Sequence, residues 1–218
     1  MKEIFNGVFR VGKNIYTKNL TPGSRVYGEK LFVSAGVEYR EWDPTRSKLS
    51  AAILNGLTTL PIRSGSVILY LGISAGTTAS HISDIIGKDG LIYGVEFAER
   101  MMRELIPVSE KRKNIIPILA DARKAEEYSW IEKTDLIYVD VADPQEMEIF
   151  IRNAKMFLKP SGFGMIAIKS QSIDVTKSPE VIYKQEINKL KKAGFAVEEQ
   201  IELSPYQGDH AFVLVKKS

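Results

Sequence analysis

The chain has 218 residues, 44% of them hydrophobic, and it contains no cysteine. A chain of this kind can bury a sizeable core, and the lack of cysteine excludes disulfides, thiolate metal sites and cysteine nucleophiles. The net charge is only +3, but residues 1–65 carry ten Lys and Arg against five Asp and Glu. Such a basic segment is typical of a protein with a polyanionic partner, or of a solvated charged face.

The first third of the chain is rich in β-forming residues. Two short runs of β-forming residues flank the sequence GKN at residues 12–14, which favours a hairpin turn. Further runs, in which apolar and polar residues alternate, continue to Trp42. We therefore predict a small antiparallel sheet. The pattern then becomes helical, because Leu49, Ala52 and Ile53 recur at helical spacing.

After Pro61, strands alternate with helices. Apolar runs predict five strands, at residues 66–72, 91–97, 114–121, 134–143 and 162–170. Helical patterns predict five helices, at residues 77–87, 98–112, 122–131, 144–158 and 178–194. We expect Thr77 or Thr78 to cap the first of these helices, and Pro144 to lie in the first turn of the fourth. Two final strands, at residues 195–203 and 210–218, pair antiparallel because no helix fits between them.

This alternation predicts an α/β fold with a parallel sheet that helices cover on both faces. We divide the chain into a small N-terminal β-sheet domain at residues 1–55 and an α/β domain at residues 56–218. Ligands of such sheets bind beyond the carboxyl ends of the strands. The glycines and polar residues at those five strand ends are Gly72 to Thr78, Glu96, Asp121, Asp140 and Lys169.

The sequence LYLGISAGTTASHISDIIG, at residues 69–87, predicts a ligand-binding turn between a strand and a helix. Gly72 and Gly76 permit a tight bend and the close approach of a ligand. The helix that starts near Thr77 would direct backbone N–H groups at a carboxylate or a phosphate. Glycines with this spacing also occur where they only permit close packing of the backbone, so the turn by itself does not specify a ligand.

Glu96 favours a nucleoside ligand, because an acid at the end of the next strand accepts hydrogen bonds from ribose hydroxyls. Phe97 would pack against adenine or in the core. Asp121 would accept a hydrogen bond from the adenine amino group or cap the next helix. The glycine spacing does not match the G-x-G-x-x-G pattern of NAD-binding proteins, and the antiparallel last strands favour S-adenosylmethionine as the cofactor.

Seven stretches of the chain match one family. In chain order they are TKNLTPGSRVYGEKL, GVEYREWDPTRSKLSAAI, LYLGISAGTTASHISDIIG, YGVEF, NIIPILADARKAEEY, GMIAIKSQSIDVTKSPE and DHAFV. On these stretches the sequence resembles the archaeal fibrillarin-like 2′-O-methyltransferases over essentially its whole length. The resemblance implies a Rossmann-like class I methyltransferase sheet, with an antiparallel last strand, preceded by a small N-terminal β domain. It also implies S-adenosylmethionine-dependent methylation of ribose 2′-hydroxyls in rRNA and tRNA.

The resemblance further implies a set of partners. These are a box C/D guide RNA that selects the nucleotide, a target rRNA or tRNA, a Nop-family scaffold protein and a kink-turn-binding ribosomal-type protein. The sequence shows no apolar run near the roughly 20 residues of a membrane span, and its first ten residues lack the apolar segment of a signal peptide. We expect a cytoplasmic protein of archaeal type with no membrane partner.

The resemblance also implies site residues. A catalytic Lys-Asp-Lys-His set falls on Lys48, Asp140, Lys169 and His210, and no metal is implied. The implied cofactor-binding residues are Gly72, Ala75, Gly76, Thr77, Thr78, Glu96, Phe97, Asp121, Ala122 and Asp140. The chain departs from the family where Asp143 replaces the usual glutamine, and where ISAG replaces the usual AASG at residues 73–76.

The residue types suit methyl transfer to a hydroxyl. Lys169 would orient the oxygen and stabilise its developing charge, or act as the base if it is neutral, with Lys48 lowering its pKa. His210 is the alternative proton acceptor, and the sequence does not decide between the two. His81 lies inside a predicted helix, and we expect a structural role for it. Two other functions remain open, a small-molecule O-methyltransferase and a non-catalytic subunit of an RNA particle.

Overall fold

The computed structural model describes residues 1–218 and contains two sheets. The first is a five-stranded antiparallel sheet with the strand order β1-β2-β3-β5-β4. Its strands are β1 (Lys2–Phe5), β2 (Val8–Val11), β3 (Asn14–Lys18), β4 (Leu31–Ser34) and β5 (Val37–Glu41). Gly12, with a φ of 60°, lies in the turn between β2 and β3, so the predicted hairpin is confirmed.

The second sheet has seven strands in the order β11-β12-β10-β9-β6-β7-β8. They are β6 (Val67–Leu71), β7 (Leu91–Glu96), β8 (Ile115–Leu119), β9 (Thr134–Val139), β10 (Leu158–Lys169), β11 (Phe195–Glu202) and β12 (His210–Lys217). β12 is antiparallel to both of its neighbours, and the remaining pairs are parallel. The predicted α/β class and the antiparallel end of the sheet are confirmed.

Six helices connect the strands or flank them. They are α1 (Lys48–Leu54), α2 (Thr77–Ile86), α3 (Glu99–Lys111), α4 (Glu146–Phe157), α5 (Ser170–Ile173) and α6 (Pro179–Lys192). No helix has both the length and the apolar character that a membrane span requires.

Three local predictions were wrong. The N-cap of α2 is Gly76, at a φ of 85°, because the left-handed conformation that ends the turn suits glycine and not a threonine. α4 begins at Glu146, after Pro144, since the Asp143 carboxylate accepts the Gln145 N–H (2.8 Å) in a local turn. The predicted helix at residues 122–131 is only a 3₁₀ turn, Ala125–Tyr128.

A buried polar network joins the first sheet to α2. Asp84, whose side chain is fully buried, accepts hydrogen bonds from Arg40 at 2.8 Å, Arg112 at 2.6 Å and Thr17 at 2.7 Å. Fully buried His81 lies nearby, with Nδ1 2.7 Å from the Thr17 hydroxyl, and burial holds its pKa well below the ordinary value. His81 therefore has the structural environment that we expected.

One hydrophobic core extends across both sheets. It contains Val8 and Ile15 from the first sheet together with Ile68 and Leu136 from the second, and α1 packs into it through Leu49. A second core fills the other face of the large sheet. The division of the chain into domains at residues 1–55 and 56–218 stays a prediction, because buried contacts are continuous across it.

Candidate active site

A cavity of about 450 Å³ opens at the carboxyl ends of β6 to β10. The five strand ends that the parallel-sheet rule selected all contribute to its wall, through Gly72, Glu96, Asp121, Asp140 and Lys169. The other polar or aromatic wall residues are Lys48, Ser74, Phe97, Arg123 and Asp143. The volume lies in the range of small-molecule and cofactor sites.

Gly72 brings the turn after β6 close to the end of β9. Its φ is 77°, and a Cβ at this position would lie only 2.7 Å from the carbonyl oxygen of Asp140. Its N–H donates to the Val95 carbonyl oxygen at 2.9 Å, which ties the turn to β7 as well. Only glycine combines this backbone conformation with such a close approach.

Glu96 is held rigidly at the end of β7. It is only 6% exposed, and its two carboxylate oxygens accept the Ser74 N–H at 3.0 Å and the Ala98 N–H at 2.9 Å. Each oxygen keeps a second lone pair, so the carboxylate can still accept hydrogen bonds from a diol. Phe97 follows it, 74% exposed on the cavity wall, and offers an aromatic face to a flat ring.

Asp121 and Asp143 lie on the two loops that border the far side of the cavity, and Arg123 connects them. The guanidinium donates to both Asp121 oxygens at 2.8–3.0 Å and lies 3.9 Å from Asp143. These hydrogen bonds hold the pKa of Asp121 below its ordinary value. Asp121 also accepts the Arg123 N–H at 2.9 Å, but it does not cap a helix as we considered, because the next helical turn begins at Ala125 with Lys124 at its N-cap.

Asp140 binds two lysines at the centre of the site. Its Oδ1 lies 2.9 Å from Lys48 Nζ and 3.0 Å from Lys169 Nζ, and the three side chains are only 16–17% exposed. Lys48 comes from the first turn of α1, whereas Asp140 and Lys169 end two neighbouring strands. Two ammonium groups on one carboxylate leave a net positive charge in the cavity wall, where an anionic oxygen would be stabilised.

His210 begins β12, half-buried and directly opposite Lys169. Burial lowers the pKa of its imidazole below 6.5, and the neighbouring Lys48 and Lys169 cations lower it further. The ring is therefore neutral at pH 7. Nδ1 contacts the Gly208 carbonyl oxygen, which can only accept a hydrogen bond, so Nδ1 carries the proton and Nε2 keeps a free lone pair.

The structure does not bring every predicted residue to the cavity. His210, of the predicted catalytic set, is absent from its wall, as are four members of the predicted cofactor set, namely Ala75, Gly76, Thr77 and Thr78. A Cβ at Gly76 would lie 2.8 Å from Leu105, which indicates packing against α3, and the buried Thr78 hydroxyl donates to Ser47 at 2.9 Å. Their part in cofactor binding stays a prediction.

Two polar wall residues, Ser74 and Arg123, were not among the individual site residues that the sequence predicted. Ser74 contributes through its N–H to Glu96, and Arg123 contributes through its two aspartates. The motif DAR at residues 121–123 carried a signal for the second of these, since a cation two residues after an acid can fold back onto it. No side-chain pattern marks Ser74, because the contact uses its backbone.

The parallel sheet with an antiparallel last strand, and the glycine turn and acids at its strand ends, define a class I methyltransferase fold. The family model described as fibrillarin matches residues 1–218. The chain belongs to the fibrillarin family, which confirms the resemblance seen in its sequence.

Three known proteins illustrate the similarity. The fibrillarin-like rRNA/tRNA 2′-O-methyltransferase of Thermococcus gammatolerans is 53% identical over 222 residues, covering 99% of this chain and 98% of the relative. The crystal structure of Aeropyrum pernix fibrillarin with natively bound S-adenosyl-L-methionine is 52% identical with a TM-score of 0.87, over 93% of this chain and 88% of that one. A fibrillarin/Nop5p complex aligns at 39% identity and a TM-score of 0.92, over 100% of both chains.

Proposed function

We propose that the chain transfers the methyl group of S-adenosylmethionine to ribose 2′-hydroxyls in rRNA and tRNA. The observation that carries this proposal is that the Lys48–Asp140–Lys169 cluster lies in the wall of a cavity large enough for a nucleoside. Relatives at 53% identity that are named as rRNA/tRNA 2′-O-methyltransferases support the same substrate class.

The wall of the cavity fits S-adenosylmethionine. Glu96 would accept from both ribose hydroxyls of the cofactor, and Phe97 would pack against its adenine. Asp121 and the backbone of Ala122 would meet the edge of the adenine, and Gly72 leaves room for the rest of the cofactor beside Asp140. When bound, the cofactor supplies a sulfonium-activated methyl group.

Each residue of the cluster then has a separate task. Lys169 orients the 2′-oxygen and stabilises the negative charge that develops as its proton leaves. His210 Nε2 accepts that proton while the new C–O bond forms, the methyl–sulfur bond breaks and its electron pair stays on sulfur. Asp140 keeps both lysines in place, and Lys48 adds to the effect of burial in lowering the pKa of His210, which favours the neutral ring before the reaction.

We propose that the chain works inside a box C/D particle. A Nop-family scaffold would hold it, since a related fibrillarin forms a complex with Nop5p. A guide RNA would select the target nucleotide by base pairing, and a kink-turn-binding ribosomal-type protein would complete the particle. The net charge of +3 is modest, which agrees with RNA binding that depends on these partners.

Methyl transfer in a reconstituted particle tests the function. The particle would contain this chain, a Nop-family scaffold, a kink-turn-binding protein, a box C/D guide RNA and a complementary target, with radiolabelled S-adenosylmethionine. We expect one methylated 2′-hydroxyl at the guided nucleotide, which moves when the guide sequence is moved. A target that carries a 2′-deoxy nucleotide at that position is the matched control. Equal labelling of both targets, or no labelling of either, would contradict the proposal.

A further inference from the structure

The segment between β11 and β12, residues 203–209, leads directly into His210 and is held on two sides. On one side, Gln207 reaches the loop ahead of α1, where its Nε2 donates to the Thr45 carbonyl oxygen at 2.7 Å and to the Pro44 carbonyl oxygen at 3.2 Å. A side-chain amide has two N–H donors, so both are used here. Gln207 is half-buried, and its own N–H donates to the Leu203 carbonyl oxygen at 2.9 Å.

The loop that receives Gln207 is itself held by local hydrogen bonds. The Asp43 carboxylate accepts both the N–H and the hydroxyl of Thr45, at 2.8 and 2.7 Å. The Ser47 side chain then caps α1 by accepting the Ser50 N–H at 3.4 Å, and Lys48 follows as the first residue of the helix. The two carbonyl oxygens that Gln207 binds are therefore fixed in relation to Lys48.

On the other side, the segment is attached to the residues that follow Lys169. The Asp209 carbonyl oxygen accepts the Ser170 hydroxyl at 2.9 Å and the Ser170 N–H at 3.3 Å. Asp209 adopts a φ of 55°, a conformation that few residues other than glycine take, and it immediately precedes His210. The start of β12 thus bridges the element that carries Lys48 and the element that carries Lys169.

We infer that Gln207 is a positioning residue that sets the distance between Lys48 and His210, an inference that rests on the proposed function. The pairing of β10 with β12 places His210 opposite Lys169, and only the shared carboxylate of Asp140 relates Lys169 in turn to Lys48. Lys48 comes from a helix outside that strand pair. Asn55, at the far end of this helix, donates to the carbonyl oxygens of Glu202 and Ser204 at 2.7 and 2.8 Å, whereas Gln207 connects the loop beside Lys48 to the residues directly before His210. A misplacement of about 1 Å between reacting groups can slow a reaction by roughly 100-fold, so this connection acts on the chemical step.

The test compares Gln207→Met with Gln200→Met in the assembled particle. Methionine keeps the length of the side chain and removes both N–H donors. Gln200 is an exposed residue of β11 and is the matched control. Single-turnover methyl transfer should fall by about 10-fold or more in Gln207→Met and stay normal in Gln200→Met, whereas the affinity for S-adenosylmethionine should be the same in both.

A double-mutant cycle distinguishes positioning from loss of stability. If Gln207 acts by setting the place of Lys48, then Gln207→Met should not slow the reaction further in a Lys48→Ala background. The inference would be overturned if Gln207→Met slowed methyl transfer by the same factor in the wild-type and Lys48→Ala backgrounds, or if Gln207→Met alone had a normal rate. The proposed function would stand in either case. A wild-type particle without any methyl transfer would overturn the proposed function instead.

Discussion

Lys169 and His210 lie opposite each other across the antiparallel strands β10 and β12. The ammonium of Lys169 is bound to Asp140, whereas the imidazole of His210 is kept neutral by burial and by two nearby cations. One residue of the pair can therefore stabilise a negative oxygen while the other takes up a proton. We therefore propose that the two roles that the sequence left open are divided between these two side chains.

The pH dependence of the chemical step tests this division. Burial and the Lys48 and Lys169 cations lower the pKa of His210, so the single-turnover rate should rise with pH to a plateau, with a midpoint below 6.5. Lys48→Ala removes one cation that opposes protonation, so the midpoint should move to higher pH. A rate that keeps rising into the alkaline range would assign the base to Lys169 and contradict the role of His210.

Lys169→Ala should reduce the rate of methyl transfer by at least about 100-fold, the lower end of what a positioned acid–base or charge-stabilising group contributes. The affinity for S-adenosylmethionine should change little, because the proposed partner of the ammonium is the ribose oxygen. Lys169→Arg should also lose methyl-transfer activity, since the planar guanidinium is bulkier than the compact lysine ammonium that binds Asp140. Near-normal single-turnover rates in Lys169→Ala would show that this lysine has a structural role only.

Glu96→Ala should weaken S-adenosylmethionine binding by roughly 1–3 kcal/mol, the scale of hydrogen bonds to a charged group. Part of this loss comes from the turn itself, because Glu96 also fixes the Ser74 and Ala98 N–H groups. Glu99→Ala is the control, since Glu99 is an exposed acid three residues further along the chain. Calorimetric affinities that agree for Glu96→Ala and wild type would remove Glu96 from the site.

Gly72→Ala should damage the site more than Gly12→Ala. Both glycines have a positive φ, of 77° and 60°, so both variants bear the same kind of backbone strain. Only at Gly72 does the new Cβ meet another atom, the Asp140 carbonyl oxygen at 2.7 Å, whereas the space around Gly12 is open. We expect a loss of cofactor affinity in Gly72→Ala alone, measured by calorimetry. Equal affinities in the two variants would contradict the close approach.

Asp84→Ala should destabilise the whole protein. The change leaves Arg40 and Arg112 buried without their shared carboxylate, and breaking a buried ion pair costs about 3–5 kcal/mol. Arg103→Ala breaks an exposed pair with Glu99 and should alter the free energy of unfolding very little. Urea unfolding followed by circular dichroism measures the free energy of unfolding of both variants. If Asp84→Ala lowered the free energy of unfolding as little as Arg103→Ala, water would have to enter the network and solvate the two arginines.

Much of the site was predictable because the carboxyl ends of parallel strands lie at one edge of a sheet, whatever the order of the strands. Glu96, Asp140 and Lys169 each end an apolar run, and the structure places all three on one cavity wall. The contacts of Gln207 were not predictable, since its partners are carbonyl oxygens about 160 residues earlier in the chain. The start of α4 was predicted too early, because a local turn at Asp143 competes with the preference of proline for a first helical turn.

The place of β12 between β10 and β11 affects how the protein becomes active as it is synthesised. β12 follows both neighbours in the chain, so the gap between them stays open until residues 210–217 have left the ribosome. Until then, the free edge of β10 exposes unpaired backbone groups that can pair with other chains. His210 arrives with the same strand, so the nascent chain acquires its proposed proton acceptor in the step that covers this edge of β10.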